Sequence, residues 1–421
     1  MKKIMALLLF PCLNLLADTA LDNLKEQLVQ QQKIIKILQN KVSLIEKNNA
    51  QKQNIELEKK MALNTKDFSS SFSQKDYAPD ISMILNMSAV GRSLKNSDYQ
   101  NFAIPGFIDA GDEDLLFSPD KGFNLNYAEI SMHSAVDPYF DAYATFHIRP
   151  DSFEVDEAYI ITRALSEGFR IKAGKFRSNF GYINEKHNHS WYFSSQPIIY
   201  QTIFGQEGII DTGIQVQYLA PTDTYLMFGI EAMQGANTRS FGDVNNGNSL
   251  YVAYLKSSID IGDDLSVLGG LSIANGKNIY KKETNVYGVD LVLREQLASY
   301  SSLVWQSEYL YRDKQNNTPD SDKQAGFYSE LIFNYNKDYA LGIMYDSITK
   351  NKTDLSIYTG LDTNNLNRYT AMVQYKPFEF SRLRLQYTYD KTKIINGERK
   401  NISEIMLELN IAAGAHSAHS Y

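Results

Sequence analysis

The chain has 421 residues, a formal net charge of −7 and a mean hydropathy of −0.35, an average that would suit a soluble protein of two or three domains. The acidic balance argues against a nucleic-acid partner. With one cysteine, Cys12, a disulfide framework is excluded, and no segment offers the roughly 18 unbroken apolar residues of a transmembrane helix.

The first residues, MKKIMALLLFPCLNLLADTA, combine a positive start (Lys2, Lys3), an apolar core from Ile4 to Leu16 and a small residue, Ala17, before Asp18. That pattern predicts a secretory signal peptide over 1–17, too short to cross a bilayer as a helix. Cys12 lies inside the apolar core behind Phe10 and Pro11, where a lipoprotein processing site wants small residues, so a lipid anchor is not expected. The exported chain would carry no thiol, and hence no thiolate metal site or cysteine nucleophile.

From residue 18 the composition turns to Gln, Lys and Asn. Leu21, Leu28, Ile35 and Val42 recur every seven residues, Leu24, Leu38 and Ile45 fill the positions between, and Gln31 is the polar exception. A heptad seam of about four repeats predicts an α-helical coiled coil over 18–64. It would either self-associate, a trimer being favoured, or lie as a single amphipathic helix on the rest of the protein. Residues 65–79, with SSSFSQ at Ser69 to Gln74, read as a flexible linker.

Beyond Asp80 short alternating segments take over. In PYFDAYATFHIR, Phe140, Ala142, Ala144, Phe146 and Ile148 alternate with Asp141, Tyr143, Thr145, His147 and Arg149, one face suited to lipid and the other to water. The same period recurs in IQVQYLA, TYLMFGIEA, NVYGVDLVLRE, SLVWQSEYLYR and SRLRLQYTYD, among others. A soluble sandwich also alternates, but three features favour a membrane barrel. About 16 candidate strands have the nine to eleven residues needed to cross a bilayer at a tilt. Tight turns (VDPY, APTD, IGDD, YNKD, KPFE) alternate with longer polar loops such as RDKQNNTPDSDKQ, and 28 tyrosines crowd the strand ends as interfacial girdles would. The last predicted strand alternates Ile405, Leu407, Leu409 and Ile411 with Glu404, Met406, Glu408 and Asn410, and the chain closes on an aromatic, Tyr421, as barrels with a C-terminal assembly signal do. Closure would pair every backbone polar group, so only alternate side chains need be apolar. The expected fold is therefore an all-β transmembrane barrel of about 16 antiparallel strands over 80–421, preceded by the helical segment.

The stretches PDISMIL, EVDEAYI, AGKFRSNFGYINEKHNHSWYF, LAPTD and GAHSAHSY together resemble a proteobacterial outer-membrane family labelled porin-like or zinc-regulated TonB-dependent receptor. The resemblance covers Asp80 to Tyr421, with FGYINEKHNHSW its most specific block. It implies an outer-membrane location and a link to zinc. TonB-dependent receptors are 22-stranded barrels with a plug, whereas about 20 residues per strand and connection give roughly 16 or 17 strands here, which is porin size.

A barrel of that size has room for an aqueous channel whose lining charges set selectivity. Arg170 and Lys172 share one face of their strand and Arg382 and Arg384 one face of theirs; Glu154, Asp156 and Glu157 are the acidic counterpart. These would either form opposed inward rows that set a transverse field or pair off to stiffen the wall. In the long connection that follows Phe180, Glu185, His187 and His189 share parity if extended, and imidazole with carboxylate suits Zn or a similar divalent ion. The adjoining Trp191, Tyr192 and Phe193 suit instead a loop folded into the lumen to narrow it, or an external loop without special role. His416 and His419 read as a surface pair, His133 and His147 as isolated lumen residues. No G-x-S-x-G, H-E-x-x-H, P-loop or dinucleotide fingerprint is present, so no enzyme is expected and no cofactor beyond weakly bound Zn. The expected function is passive diffusion of small hydrophilic solutes or ions through an outer-membrane porin whose N-terminal segment sits in the periplasm. Its partners would be lipid, the outer-membrane assembly machinery and further copies of itself. The alternatives are a channel for zinc or another divalent metal and a structural or adhesive barrel with a filled lumen.

Overall fold

The computed structural model describes residues 79–414 except 111–119, 151, 164, 243–246, 318–319, 360, 362 and 364. The expected signal peptide, coiled-coil seam (Leu21, Leu24, Leu28, Ile35, Leu38, Val42, Ile45), most of the linker, the pair His416 and His419, and Tyr421 lie outside the described residues.

Among the described residues, two short segments, Ile394–Ile395 and Glu398–Arg399, pair as a separate small hairpin, and sixteen strands form the barrel. They are β1 (Asp80–Arg92), β2 (Gly122–Ala135), β3 (Phe140–Ile148), β4 (Phe153–Thr162), β5 (Phe169–Arg177), β6 (Ile210–Leu219), β7 (Tyr225–Met233) and β8 (Leu250–Ile261). There follow β9 (Leu265–Lys277), β10 (Glu283–Ala298), β11 (Ser301–Gln315), β12 (Ser321–Asn334), β13 (Tyr339–Lys352), β14 (Leu366–Phe378), β15 (Ser381–Asp390) and β16 (Ile402–Gly414). Each strand pairs antiparallel with its sequence neighbours, and β1 pairs with β16 to close the barrel. The closing register runs from Ser82↔Gly414 to Arg92↔Glu404, and the Arg92 guanidinium meets the Glu404 carboxylate at 2.7 Å across that seam. The strand number is the one the alternation predicts.

Period-2 alternation becomes the wall. On β16 Ile405, Leu407 and Ile411 face outward and Met406, Glu408 and Asn410 are buried inside. At about 3.3 Å per residue and a tilt of about 40°, even the shortest strands, at nine or ten residues, rise about 25 Å, the height of an apolar band in lipid. Exposed Tyr139, Tyr300, Tyr335 and Phe378 sit at the short-turn end, where an interfacial girdle belongs.

The predicted tight turns fall at one end, and the long connections, 93–121, 178–209, 234–249, 353–365 and 391–401, fall at the other together with the short connections 149–152, 278–282 and 316–320. One predicted loop is corrected: most of RDKQNNTPDSDKQ extends the β11–β12 hairpin, paired as far as Gln315↔Ser321, because Arg312 to Lys314 keep their cross-strand partners. Two long connections fold inward. In 93–121, Phe102, Ile104 and Ile108 are buried in the same apolar cluster as Ile203 and Phe204 of the connection 178–209, and its backbone carbonyls accept from Asn351 and Gln324.

Candidate functional site: the lumen loop and its histidine–carboxylate corner

The connection 178–209, between β5 and β6, crosses the lumen. Its start demands Gly181, which has φ +64, and a Cβ there would lie 2.2 Å from the Tyr200 hydroxyl and 2.3 Å from the Glu308 carboxylate. Lumen-facing glycines make room farther along: at Gly288 a Cβ would come within 2.9 Å of the Phe180 ring, at Gly326 within 2.8 Å of Ile199, and at Gly342 within 3.1 Å of Phe193. The helix Ile198–Phe204 is apolar on nearly all sides and buried at every position, as a helix inside a packed interior must be.

A crossing loop carries backbone polar groups away from water, and each needs a partner. The wall supplies them with charged side chains sorted by sign. Carboxylates accept its N–H groups: Glu231 from Asn179 at 2.9 Å, Glu308 from Tyr182 and Ile183 at 2.9 Å each, and Asp346 from Ile198 at 2.9 Å. Arginines donate to its carbonyls: Arg382 to His189 at 2.7 Å, Arg384 to Trp191 at 2.8 Å and Arg368 to Gln196 at 2.7 Å. Charge-assisted bonds of this type are the stronger class.

At the start of this crossing, a corner of the lumen gathers histidines and acids. Glu129 on β2, His147 on β3 and His187 in the loop are all buried, with one donor atom from each lying within 4.8 Å of the others. Glu129 Oε2 stands 3.2 Å from His147 Nε2, 3.6 Å from His187 Nδ1 and 3.2 Å from His189 Nδ1. On β4 the register shifts between the partners of Thr145 and Phe146, so Asp156 is the extra residue and both it and Glu157 turn inward. Glu157 Oε2 is 2.8 Å from His187 Nε2, and Asp156 receives Arg177 Nη2 at 2.9 Å. Burial alone would depress the His187 imidazole, but Glu129 and the hydrogen bond to Glu157 outweigh it and raise it to about 9. For His189 burial prevails over Glu129 and the imidazole is lowered.

The residues singled out in the sequence divide. His187 and His189 meet at Glu129, but Glu185 does not join them. Residues 181–185 form turns and Asn188–Ser190 a 3₁₀ turn, so extended parity is lost and the Glu185 carboxylate pairs with Lys256 on β8 at 2.9 Å. His147, expected to be isolated, belongs to the corner; His133 stacks on Tyr143 with ring centroids 4.4 Å apart. Arg170 lies exposed at the short-turn end of β5 and Lys172 follows it, its amine over the rings of Tyr159 and Phe176. Glu154 pairs with Arg149 at the opposite rim, and Arg382 with Glu408 at 3.0 Å. Arg384, fully buried, holds the loop. Sequence reasoning missed Glu129, Glu308, Asp346 and Arg368, whose only local signal is a charge on the inward parity of a strand.

No protein-family model matches the chain. It is 38% identical over 385 residues to an uncharacterized protein of Aquifex aeolicus (strain VF5), covering 84% of this chain and 82% of that protein. Solved structures that share the fold include the outer membrane channel DcaP of Acinetobacter baumannii, with a TM-score of 0.52 and 12% identity over 82% of this chain and 100% of that one. An anion-selective porin from Comamonas acidovorans has a TM-score of 0.52 and 10% identity over 80% and 99%. Salmonella typhi OmpF, solved with daunomycin, has 0.51 and 11% over 81% and 99%. At such identities the likeness is one of fold; it fits the porin side of the family resemblance and lends nothing to a zinc-regulated TonB-dependent receptor. At 38% identity over most of both lengths, this chain belongs to the same family as the Aquifex aeolicus protein, and it folds as a porin-type β-barrel.

Proposed function

We propose that the protein is an outer-membrane porin through which small hydrophilic solutes diffuse passively. The observation that carries this reading is the loop 178–209, drawn from the long-loop end into a closed barrel and tied to the far wall by Glu308, Asp346, Arg368 and Arg384. A loop so placed narrows the passage and sets a size limit. Between it and β14–β16 lies a cavity of about 40 Å³ lined by Gln196, Gln201, Arg368, Lys393 and Glu404, among others, with room for water.

In this reading the signal peptide exports the chain, the assembly machinery inserts the barrel, and residues 18–64 stand in the periplasm as a coiled coil that joins three barrels. Arg170 and Lys172 supply positive charge on the lumen side of β5 and favour anions over cations. Zinc uptake is the weaker reading, since His187 and His189 are buried against the wall.

The test is conductance of the purified full-length protein in planar bilayers. Steady ohmic steps with a measurable anion preference are expected. Their absence, with the folded barrel present, would overturn the porin and favour a structural barrel with a filled lumen.

A further inference from the structure

We propose that Glu129, His147 and His187 hold one transition-metal ion of the Zn²⁺ class, which staples the lumen loop to the β2–β4 wall. The site differs from the one suggested by local spacing, because two of its three ligands come from separate strands and Glu185 takes no part.

Three observations carry it. The first is spacing. A tetrahedral ion with bonds of about 2.0–2.1 Å sets neighbouring donor atoms about 3.3–3.4 Å apart. Glu129 Oε2 lies 3.2 Å from His147 Nε2 and 3.6 Å from His187 Nδ1, and one donor atom from each of the three residues lies within 4.8 Å of the others. Neutral imidazole and carboxylate are donors that Zn²⁺ accepts, and the exported chain offers no thiolate to compete.

The second is the support behind the ligands. A metal-bound imidazole characteristically gives its other N–H to a carboxylate. His187 turns Nδ1 to Glu129 and Nε2 to Glu157, at 2.8 Å, and the other oxygen of Glu157 accepts the Arg177 backbone N–H at 2.7 Å. Ser131 Oγ holds the second oxygen of Glu129 at 3.1 Å. His187 and Glu129 are thus fixed in orientation from behind.

The third is charge. Asp156 is already matched by Arg177 at 2.9 Å. Among the described residues the ion-pair partners of Glu129 are imidazoles alone, from His147, His187 and His189. A divalent ion placed there balances the buried Glu129 and Glu157 carboxylates.

The proposal is independent of conduction, because it is read from metal content. The full-length protein in detergent is stripped with chelator, reloaded with Zn²⁺, desalted and analysed for metal per chain, with affinity measured by competition against a chromophoric chelator. One Zn per chain is expected. Glu129→Gln, His147→Asn and His187→Asn should each weaken binding at least about tenfold, Glu157→Gln by about ten- to a hundredfold, and Glu185→Gln not at all. Less than about a tenth of an ion per chain in the wild type, or equal affinity in wild type and the three ligand variants, would overturn the site. Should a variant fail to give the heat-modifiable band of a folded barrel, Co²⁺ added to the wild type decides. An intense visible absorption of tetrahedral cobalt supports the proposal, and the weak octahedral spectrum of solvated cobalt overturns it.

Discussion

Arg384 on β15 donates from its Nη2 to the Trp191 carbonyl at 2.8 Å, although 193 positions separate the two in sequence. The side chain is fully buried and also faces Glu408 at 3.5 Å. It is a cation placed inside the wall to satisfy a loop, which explains how an arginine foreseen as pore lining comes to have no contact with water. Replacing it by Met keeps most of the volume but removes the donor to the Trp191 carbonyl and leaves Glu408 with one buried arginine, Arg382, instead of two. Loss of about 3–5 kcal/mol is expected for breaking such a buried pair, read from guanidinium unfolding in micelles.

Glu308 acts on the opposite sign. It accepts from the Tyr182 and Ile183 amides and from the Tyr200 hydroxyl at 2.7 Å. Glu308→Ala should release the first third of the loop and raise both the size and the noise of the single-channel current. Tyr200→Phe, which removes one donor of the set, should cost about 1.5–3 kcal/mol with a smaller change in current. Equal currents in wild type and Glu308→Ala would show that the loop does not limit the passage.

Gly181 is the hinge by which the chain leaves β5 for the lumen. Gly181→Ala combines positive φ with a Cβ that would lie 2.2 Å from the Tyr200 hydroxyl, so the loop must shift. A stability loss of about 1–3 kcal/mol is expected, with altered conductance from an otherwise intact barrel, whose strand content far-ultraviolet circular dichroism would report.

Lys172 is half-buried on the lumen face of β5, its amine over the Tyr159 ring at 5.0 Å. Lys172→Glu reverses the sign of that part of the lining. The reversal potential under a salt gradient should move toward cation preference while the unitary step changes little.

Ile405 faces outward, about half exposed. Ile405→Arg should lower barrel stability by about 2–4 kcal/mol in vesicles, where the position meets hydrocarbon. Met406→Gln, one residue along and facing inward, should cost less there; the reverse order would contradict the assignment of faces.

Much of the wall was legible along the chain. The approximate strand number and the inward and outward faces of β3 and β16 follow from a period of two, and the tight turns VDPY, APTD, IGDD, YNKD and KPFE from the breaks between alternating segments. Legibility failed where parity failed. The turns through 181–185 sent Glu185 to Lys256 and His187 to Glu129, and the extra residue in β4 brought Asp156 and Glu157 inward together. It failed again where the partner is remote, as Glu308 is from Tyr182 and Asp346 from Ile198.

By itself the sequence determined that this chain alternates apolar and inward-facing side chains through about sixteen strands, because that property is local and each strand repeats it. Only the tertiary structure decided which connection enters the lumen, which charges hold it and which imidazoles share one carboxylate. Those relations arise when closure of the barrel brings opposite walls within reach of the same loop, and no spacing along the chain encodes a distance across it.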